Sequence, residues 1–401
     1  MIRAVLLALA LLATACNGSS SGGATKGEVL VVVSAPLTVQ PWIGRFAERG
    51  AQLAADQLNA AGGADGRHVV VSVLDNGGSP QRAVANARTA VSRGAAALVT
   101  DGVGAVAVSE VTDPVSLPVF VVFEGGVSLI DPATRPTLFR MAPSNKPMAT
   151  RLSDYLSEKA KVVGLISDDS SYGREGAAQT RLALRRNEIR LAADASVPEG
   201  ASDVAPQVLR ARRGGAQLLV VWARAAGVAA VVRAARSSGW QVPVYAGPTG
   251  EDPLVRQRLA DHPEWVDGLT FVSFRITSET GPAPFAAYRK AYVGKYGEDE
   301  VGVSAGGRPV LAPPDWSMYP YDAVRLVAAA LKSSGGRTGK PLMAALNSTV
   351  ITGANGDERG FGPQDREGVS PDDMYFGRFA QMRFAPVKDD ILSTGLPTVA
   401  Q

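Results

Sequence analysis

Read for its alternation of apolar and polar positions, the chain divides into short continuous apolar runs separated by segments with helical spacing. Residues 29–34, 68–74, 96–100 and 118–123 are apolar enough to be strands, and continuous apolar runs fit strands covered on both faces. Between them, 46–60 places Phe46, Gly50, Leu53, Ala54 and Leu58 on one helical face, and Gly62-Gly63 ends that helix. Residues 81–93 form a second helix stopped by Gly94, while 35–44, which holds Trp42, reads as a loop. This rhythm predicts right-handed βαβ units in one parallel sheet. After a connector at 139–147 the pattern restarts. Helices are predicted at 148–157, 173–186, 204–213 and 227–237, with strands at 162–167, 191–197, 218–222, 242–245 and 269–274. Two successive doubly wound halves predict an α/β fold of two parallel-sheet lobes with a cleft between their carboxyl edges.

The last part breaks the rhythm. Helices at 284–296, 321–332 and 340–347 have no strand between them, 353–368 is rich in turn residues, and 376–384 alternates as a final strand. The chain is therefore expected to return to the first lobe and then to the second, which makes a three-strand hinge. The expected division is 28–143 with 275–350 as lobe 1, 144–274 with 351–392 as lobe 2, and 393–401 as a tail.

The centre of this arrangement is the strand–turn–helix unit at 95–109. Its turn, Asp101-Gly102-Val103-Gly104, leads into a helix opening at Ala105 whose first N–H groups lack partners within the helix. Such an end, at the carboxyl edge of a parallel sheet, receives small anionic or polar ligands. The next strand delivers Glu124-Gly125-Gly126 to the same edge.

Composition narrows the function. A net charge of +3 on 401 residues does not suggest a nucleic-acid partner. The N-terminus reads as an export signal: Arg3 is followed by an apolar run at 4–12, too short to span a bilayer, and by the small residues Ala13-Thr14-Ala15. Cys16 is the only cysteine and precedes a Ser/Gly-rich linker, so 1–15 is expected to be a signal peptide and 16–27 an anchor and linker. This order resembles a bacterial lipoprotein signal, which implies lipidation at Cys16 and a membrane-tethered protein facing the extracellular or periplasmic side. A plain secretory signal with a chance cysteine is the alternative.

Several local signatures, taken in order, carry a wider resemblance. They are Gly50-Ala51-Gln52-Leu53-Ala54 running into Leu58-Asn59-Ala60-Ala61-Gly62-Gly63, then Pro80-Gln81-Arg82-Ala83-Val84, Asp168-Asp169-Ser170-Ser171-Tyr172-Gly173, Gly247-Pro248-Thr249-Gly250 and Tyr321-Asp322-Ala323-Val324. With them the chain resembles the solute-binding proteins of branched-chain amino-acid ABC transporters, the Leu/Ile/Val-binding family of type I periplasmic-binding-protein fold. The resemblance implies a monomeric receptor, without cofactor or metal, that closes on a small solute and docks on ABC permease subunits. Where amino-acid binders offer hydroxyls to the ligand carboxylate this chain has Gly104 and Val127, and where they place a Glu against the ammonium it has Thr249. Tyr172 alone matches a family binding position directly.

The expected ligand-binding set is Trp42, Gly102, Val103, Gly104, Ala105, Glu124, Gly125, Gly126, Tyr172, Trp222, Thr249, Glu251 and Trp316. Backbone donors at 104–106 could take a carboxylate, and Glu251 or Glu124 could replace the missing acid. Trp42 and Trp222 either meet the ligand or cap their own lobes; Trp316 or Tyr319 either closes the site or packs. Glu124 either meets a cationic group or pairs across the cleft with an Arg such as Arg224. An aromatic and acidic lining would suit an amine-bearing solute.

Enzyme readings carry less. Gly102-Val103-Gly104-Ala105-Val106-Ala107 fits G-x-G-x-x-A, but on the third strand of its sheet rather than the first. Gly302-Val303-Ser304-Ala305-Gly306 fits a nucleophile elbow, yet both histidines, His68 and His262, precede Ser304. No metal site is expected from two histidines and one lipidated cysteine. The stronger alternative is a ligand sensor or envelope interaction lipoprotein on the same fold.

Overall fold

The computed structural model describes residues 27–274, 283–311, 315–369 and 374–387. The signal peptide, Cys16 and the tail at 393–401 lie outside the described residues. The first half runs β1 (Glu28–Ala35), α1 (Pro41–Ala60), β2 (His68–Asp75), α2 (Pro80–Ser92), β3 (Ala97–Thr100), α3 (Ala105–Thr112), β4 (Val119–Val121) and β5 (Leu138–Arg140). These strands form one wholly parallel sheet in the order β2-β1-β3-β4-β5. From Val29 on, every residue of β1 is buried, as the unbroken apolar run required.

The second half runs α4 (Asn145–Ser157), β6 (Val162–Asp168), α5 (Ser171–Arg186), β7 (Arg190–Val197), α6 (Ala205–Arg213), β8 (Leu218–Trp222), α7 (Ala225–Ser237), β9 (Val244–Ala246), α8 (Pro253–Arg258) and β10 (Leu269–Phe274). The chain then forms α9 (Ala283–Tyr296), a hairpin of β11 (Glu300–Val303) and β12 (Pro309–Leu311), α10 (Met318–Ser333), α11 (Lys340–Leu346), and a hairpin of β13 (Val350–Thr352) and β14 (Glu358–Gly360). It ends in β15 (Met374–Ala380) and β16 (Arg383–Pro386), which extend the second sheet antiparallel: β16-β15-β10-β9-β8-β6-β7.

Late segments complete both halves. α10 lies along α1, and Gly50 makes the approach possible, since a Cβ there would sit 2.0 Å from the Ser317 carbonyl oxygen. The β13–β14 hairpin also packs on α10, whereas the β11–β12 hairpin packs on α8 of the second half.

Four elements differ from the sequence reading. α1 begins at Pro41, because proline at the first helical position needs no N–H partner; Trp42 therefore sits in a helical turn, not a loop. Residues 138–140 form β5 instead of a connector. The hairpin at 300–311 was not foreseen, and it places Ser304 in a β-turn rather than at a strand-to-helix elbow. The single strand expected at 376–384 is a hairpin, turned by Gln381 and Met382 at φ 51° and 68°. Of the three crossovers, the one at 275–282 lies outside the described residues, and the last includes 370–373, which also do.

Candidate functional site

In each sheet the chain reverses its direction of growth once, and the loops flanking that point open a crevice at the carboxyl ends of the strands. In the first sheet the point lies between β1 and β3, and in the second between β6 and β8. The crevices combine into one solvent-connected cleft between the lobes. The first lobe lines it with Trp42, Phe123, Gly125, Trp316 and Tyr319, and the second with Tyr172, Arg224, Thr249, Asp252 and Arg258. Asn145, where the chain first crosses between lobes, completes the wall. The rings of Phe123 and Trp316 stack with centroids 5.5 Å apart.

Tyr172 stands in the first turn of α5, set by Ser170, whose hydroxyl caps that helix by accepting from the Gly173 N–H. The Thr249 hydroxyl donates its single proton to the Ala223 carbonyl at 2.6 Å, so it accepts the bond from the Tyr172 hydroxyl at 3.3 Å. Burial holds the Tyr172 phenol neutral by pushing its pKa up. Arg224 precedes α7; its backbone N–H donates to Asp168 at 2.6 Å and its guanidinium lies 5.6 Å from the centre of the Tyr172 ring. The guanidinium faces Glu124 of the other lobe and Glu199, each at 3.6 Å.

Two acids, Asp101 at the carboxyl edge of the first sheet and Asp252 in the cleft wall, are held toward neutrality. Burial raises Asp101 to about 6 against the hydrogen bond from Asn76 and the charge of Arg224. Burial likewise raises Asp252 to about 6, although one of its oxygens caps α8 by accepting from the Leu254 N–H.

Side chains meet across the cleft at several points. The Trp42 indole N–H donates to Gln257 at 3.4 Å. Ser171 donates to Glu124 at 3.4 Å. Glu175 on α5 accepts the Val127 N–H at 2.5 Å and the Ser128 hydroxyl at 2.8 Å, and its carboxylate fits against Gly126 because a Cβ there would stand 2.7 Å away. The loop carrying Gly126 is pinned from below by the wholly buried Arg140, which donates to the carbonyls of Glu124 and Gly126 and pairs with Glu367 at 3.0 Å.

The residues singled out in the sequence therefore separate. Trp42, Gly125, Tyr172, Thr249 and Trp316 line the cleft; Gly102, Val103, Gly104, Ala105, Gly126, Glu124, Trp222 and Glu251 do not. Trp222 is fully buried and packs behind Tyr172 with ring centroids 5.4 Å apart. It fills a slot between Gly176 and Gly247, where added Cβ atoms would lie 2.2 and 2.7 Å from the indole. Gly102 lies against the Glu124 side chain and Gly104 against Pro80, which moves the opening of α3 behind the wall. Glu251 is buried in the turn between β9 and α8. Of the two roles open to Glu124, the structure contains the ion pair with Arg224. The acidic lining that would suit an amine is reduced accordingly.

Sequence reasoning missed Asn145 and Asp252, and named Arg224 only as a partner for Glu124. The signal for Asp252 was available: an Asp before Pro253 is a helix N-cap pattern at the cleft edge. Among the described residues no group of three or more His, Cys, Asp or Glu side chains could hold a metal ion.

Two doubly wound lobes with a cleft between them are the architecture of the described residues. Residues 34–383 match the periplasmic binding protein family model, and the chain belongs to that family. An amino acid binding protein of Pseudomonas aeruginosa is 26% identical over 326 residues, which cover 77% of this chain and 79% of that protein. Leu/Ile/Val-binding protein homolog 3 of Brucella melitensis is 29% identical over 237 residues, covering 56% of this chain and 62% of its own length. Among solved structures, the periplasmic binding protein type 1 of Bordetella pertussis Tohama I superposes with a TM-score of 0.81 at 22% identity, covering 90% of this chain and all of that one. The branched-chain amino acid transporter substrate binding protein LivJ of Streptococcus pneumoniae, in complex with isoleucine, gives 0.75 at 22% identity, covering 89% and 97%. The type I fold expected from the sequence is the fold observed.

Proposed function

We propose that this protein is the extracytoplasmic receptor of an ABC importer, capturing a small organic solute (an amino acid, amine or related compound) between its lobes and delivering it to the permease. The observation that carries the reading is the cleft itself, closed by hydrogen bonds and an ion pair from one lobe to the other. The relatives support it: one is an amino acid binding protein, and LivJ is the substrate binding protein of a branched-chain amino acid transporter. The contact set is Trp42, Gly125, Asn145, Tyr172, Arg224, Thr249 and Trp316. Lobe 1 comprises β1 to β5 with α9 to α11, and lobe 2 comprises β6 to β10 with β15 and β16. Binding is followed by release, not by bond-making, a reading that fits a cleft wall in which, among the described residues, no nucleophile stands beside a base. Lipidation at Cys16 tethers the receptor beside the permease.

A thermal-shift screen of the soluble chain from Lys26, against amino acids, amines, nucleosides, sugars and organic acids, tests the receptor reading. A solute that binds only the folded state stabilises it by about 2.7 kcal/mol at a hundred times its dissociation constant. A raised midpoint that Tyr172→Ala abolishes is the expected result. A midpoint unmoved across the whole library refutes the reading.

A further inference from the structure

The polar groups of the cleft are mismatched to a zwitterion. Asn145 is wholly buried in the wall, and neither its amide nitrogen nor its amide oxygen has a hydrogen-bond partner among the described residues. The guanidinium of Arg224 is half-buried in the same wall. It is balanced in charge by Glu124 and Glu199, but at 3.6 Å neither is within hydrogen-bond length, and Nε is buried with no partner. Buried donors of this kind need an acceptor, and the cleft is where one can arrive.

The groups that would receive an ammonium are compromised. Glu124 stands outside the cleft lining with Oε2 turned to Arg224 and Ser171 and Oε1 buried without a hydrogen-bond partner, Asp252 has one oxygen committed to the α8 cap, and Glu199 is exposed and shares the Arg224 charge. Two donors that could hold a carboxylate are already committed, the Val127 N–H to Glu175 and the Thr249 hydroxyl to the Ala223 carbonyl. Apart from Gln40 and Arg258, much of the remaining surface is apolar or aromatic: Trp42, Phe123, Met148, Trp316 and Tyr319.

Resting on the receptor reading above, we propose that the solute is an apolar monocarboxylate, with an aryl or branched-alkyl body and no ammonium group. Its carboxylate accepts hydrogen bonds from the Arg224 guanidinium and the Asn145 amide, and its body lies among the aromatic walls. Arg224 suits this role because its planar fork matches a carboxylate and its charge cannot be lost by deprotonation.

Two matched series test this by calorimetry and thermal shift on the purified protein: 3-phenylpropanoate, phenylalanine and 2-phenylethylamine; and 4-methylpentanoate, leucine and 3-methylbutylamine. Within a series only the charged groups differ. The acids are expected to bind at least roughly tenfold tighter than the amino acid or amine of the same skeleton. Arg224→Gln and Asn145→Asp are each expected to remove roughly that factor for the acids. Asn145→Asp preserves side-chain shape while facing the ligand with an acceptor, and carries the test alone if Arg224→Gln does not fold. An amino acid or amine that binds as well as the acid overturns the proposal and leaves the receptor reading standing. So does a hit confined to sugars, nucleosides or other solutes without a carboxylate. No response to any of the six compounds or the broader library overturns both.

Discussion

Trp222 separates support of the site from contact with the ligand. Its indole is fully buried, ends β8, and backs the Tyr172 ring from the slot between Gly176 and Gly247. An indole of this kind buries about 250 Å². At about 25 cal/mol per Å² its removal forfeits about 6 kcal/mol of transfer energy, of which alanine returns a small part. Trp222→Ala should therefore destabilise by about 3–5 kcal/mol, a large fraction of the stability of an ordinary domain. Trp222→Phe keeps a ring behind Tyr172 and should cost about 1–3 kcal/mol. Urea denaturation followed by far-UV circular dichroism measures both, because the change of fluorophore does not enter that signal. Where Trp222→Phe remains folded, its affinity for any solute that stabilises the parent should stay within about twofold, since the indole does not line the cleft. Tyr172→Phe, by contrast, deletes a hydroxyl at the wall and should change affinity with a smaller change in midpoint. If Trp222→Phe unfolds at the parental urea concentration yet binds tenfold more weakly, the indole reaches the ligand and does not stand behind Tyr172 only as support.

Three further outcomes follow. Glu175→Ala removes two hydrogen bonds between the lobes, so solute affinity should fall by about 5–30-fold and the radius of gyration measured by X-ray scattering should increase; unchanged values would show that the clamp contributes nothing to closure. Asp252 has a folded pKa raised from 3.8 to about 6, so the folded state binds its proton more tightly than the unfolded chain, and the stability this group provides falls as pH rises between those values. Asp252→Asn retains an acceptor for the α8 cap, should flatten the pH 4–6 region of the stability profile, and should gain up to about 3 kcal/mol at pH 7; a profile identical to the parent's would refute the assignment. Cys16→Ala should abolish incorporation of labelled palmitate and move the protein from the membrane to the soluble fraction, and continued labelling would place the anchor elsewhere.

The parts of the fold that sequence patterning captured are those governed by burial on both faces. The run at 29–34 is apolar up to its terminal Ser34, the run at 218–222 has no polar position, and both are central strands. The same property hid the role of Trp222: in a strand buried on both sides, alternation does not say which side faces the cleft. β5 was missed because three residues, Leu138, Phe139 and Arg140, are too few for a period, and the buried Arg140 argues locally against a strand. Tyr172 was found because its motif and its place at a helix opening agree. Asn145 was not, because nothing marks an asparagine in a connector until the fold buries its amide without a partner. Arg224 and Glu124, a hundred residues apart, were legible only as a possible pair.

The interleaving of early and late segments has a consequence for how the molecule is made. The sheet of the first lobe is complete at Arg140, but the helix that lies along α1 arrives only with Met318–Ser333. The second sheet waits longer, since β10 stays an open edge until Met374–Ala380 pairs with it. During synthesis from the N-terminus, neither half can bury its full core until nearly all of the chain has emerged, and the long separation of the contacting segments slows their meeting. A polypeptide assembled in this way stays threadable for most of its length and locks at the end. For a receptor that works outside the cytoplasm, late locking keeps the chain open to transport across a membrane until its last strands follow.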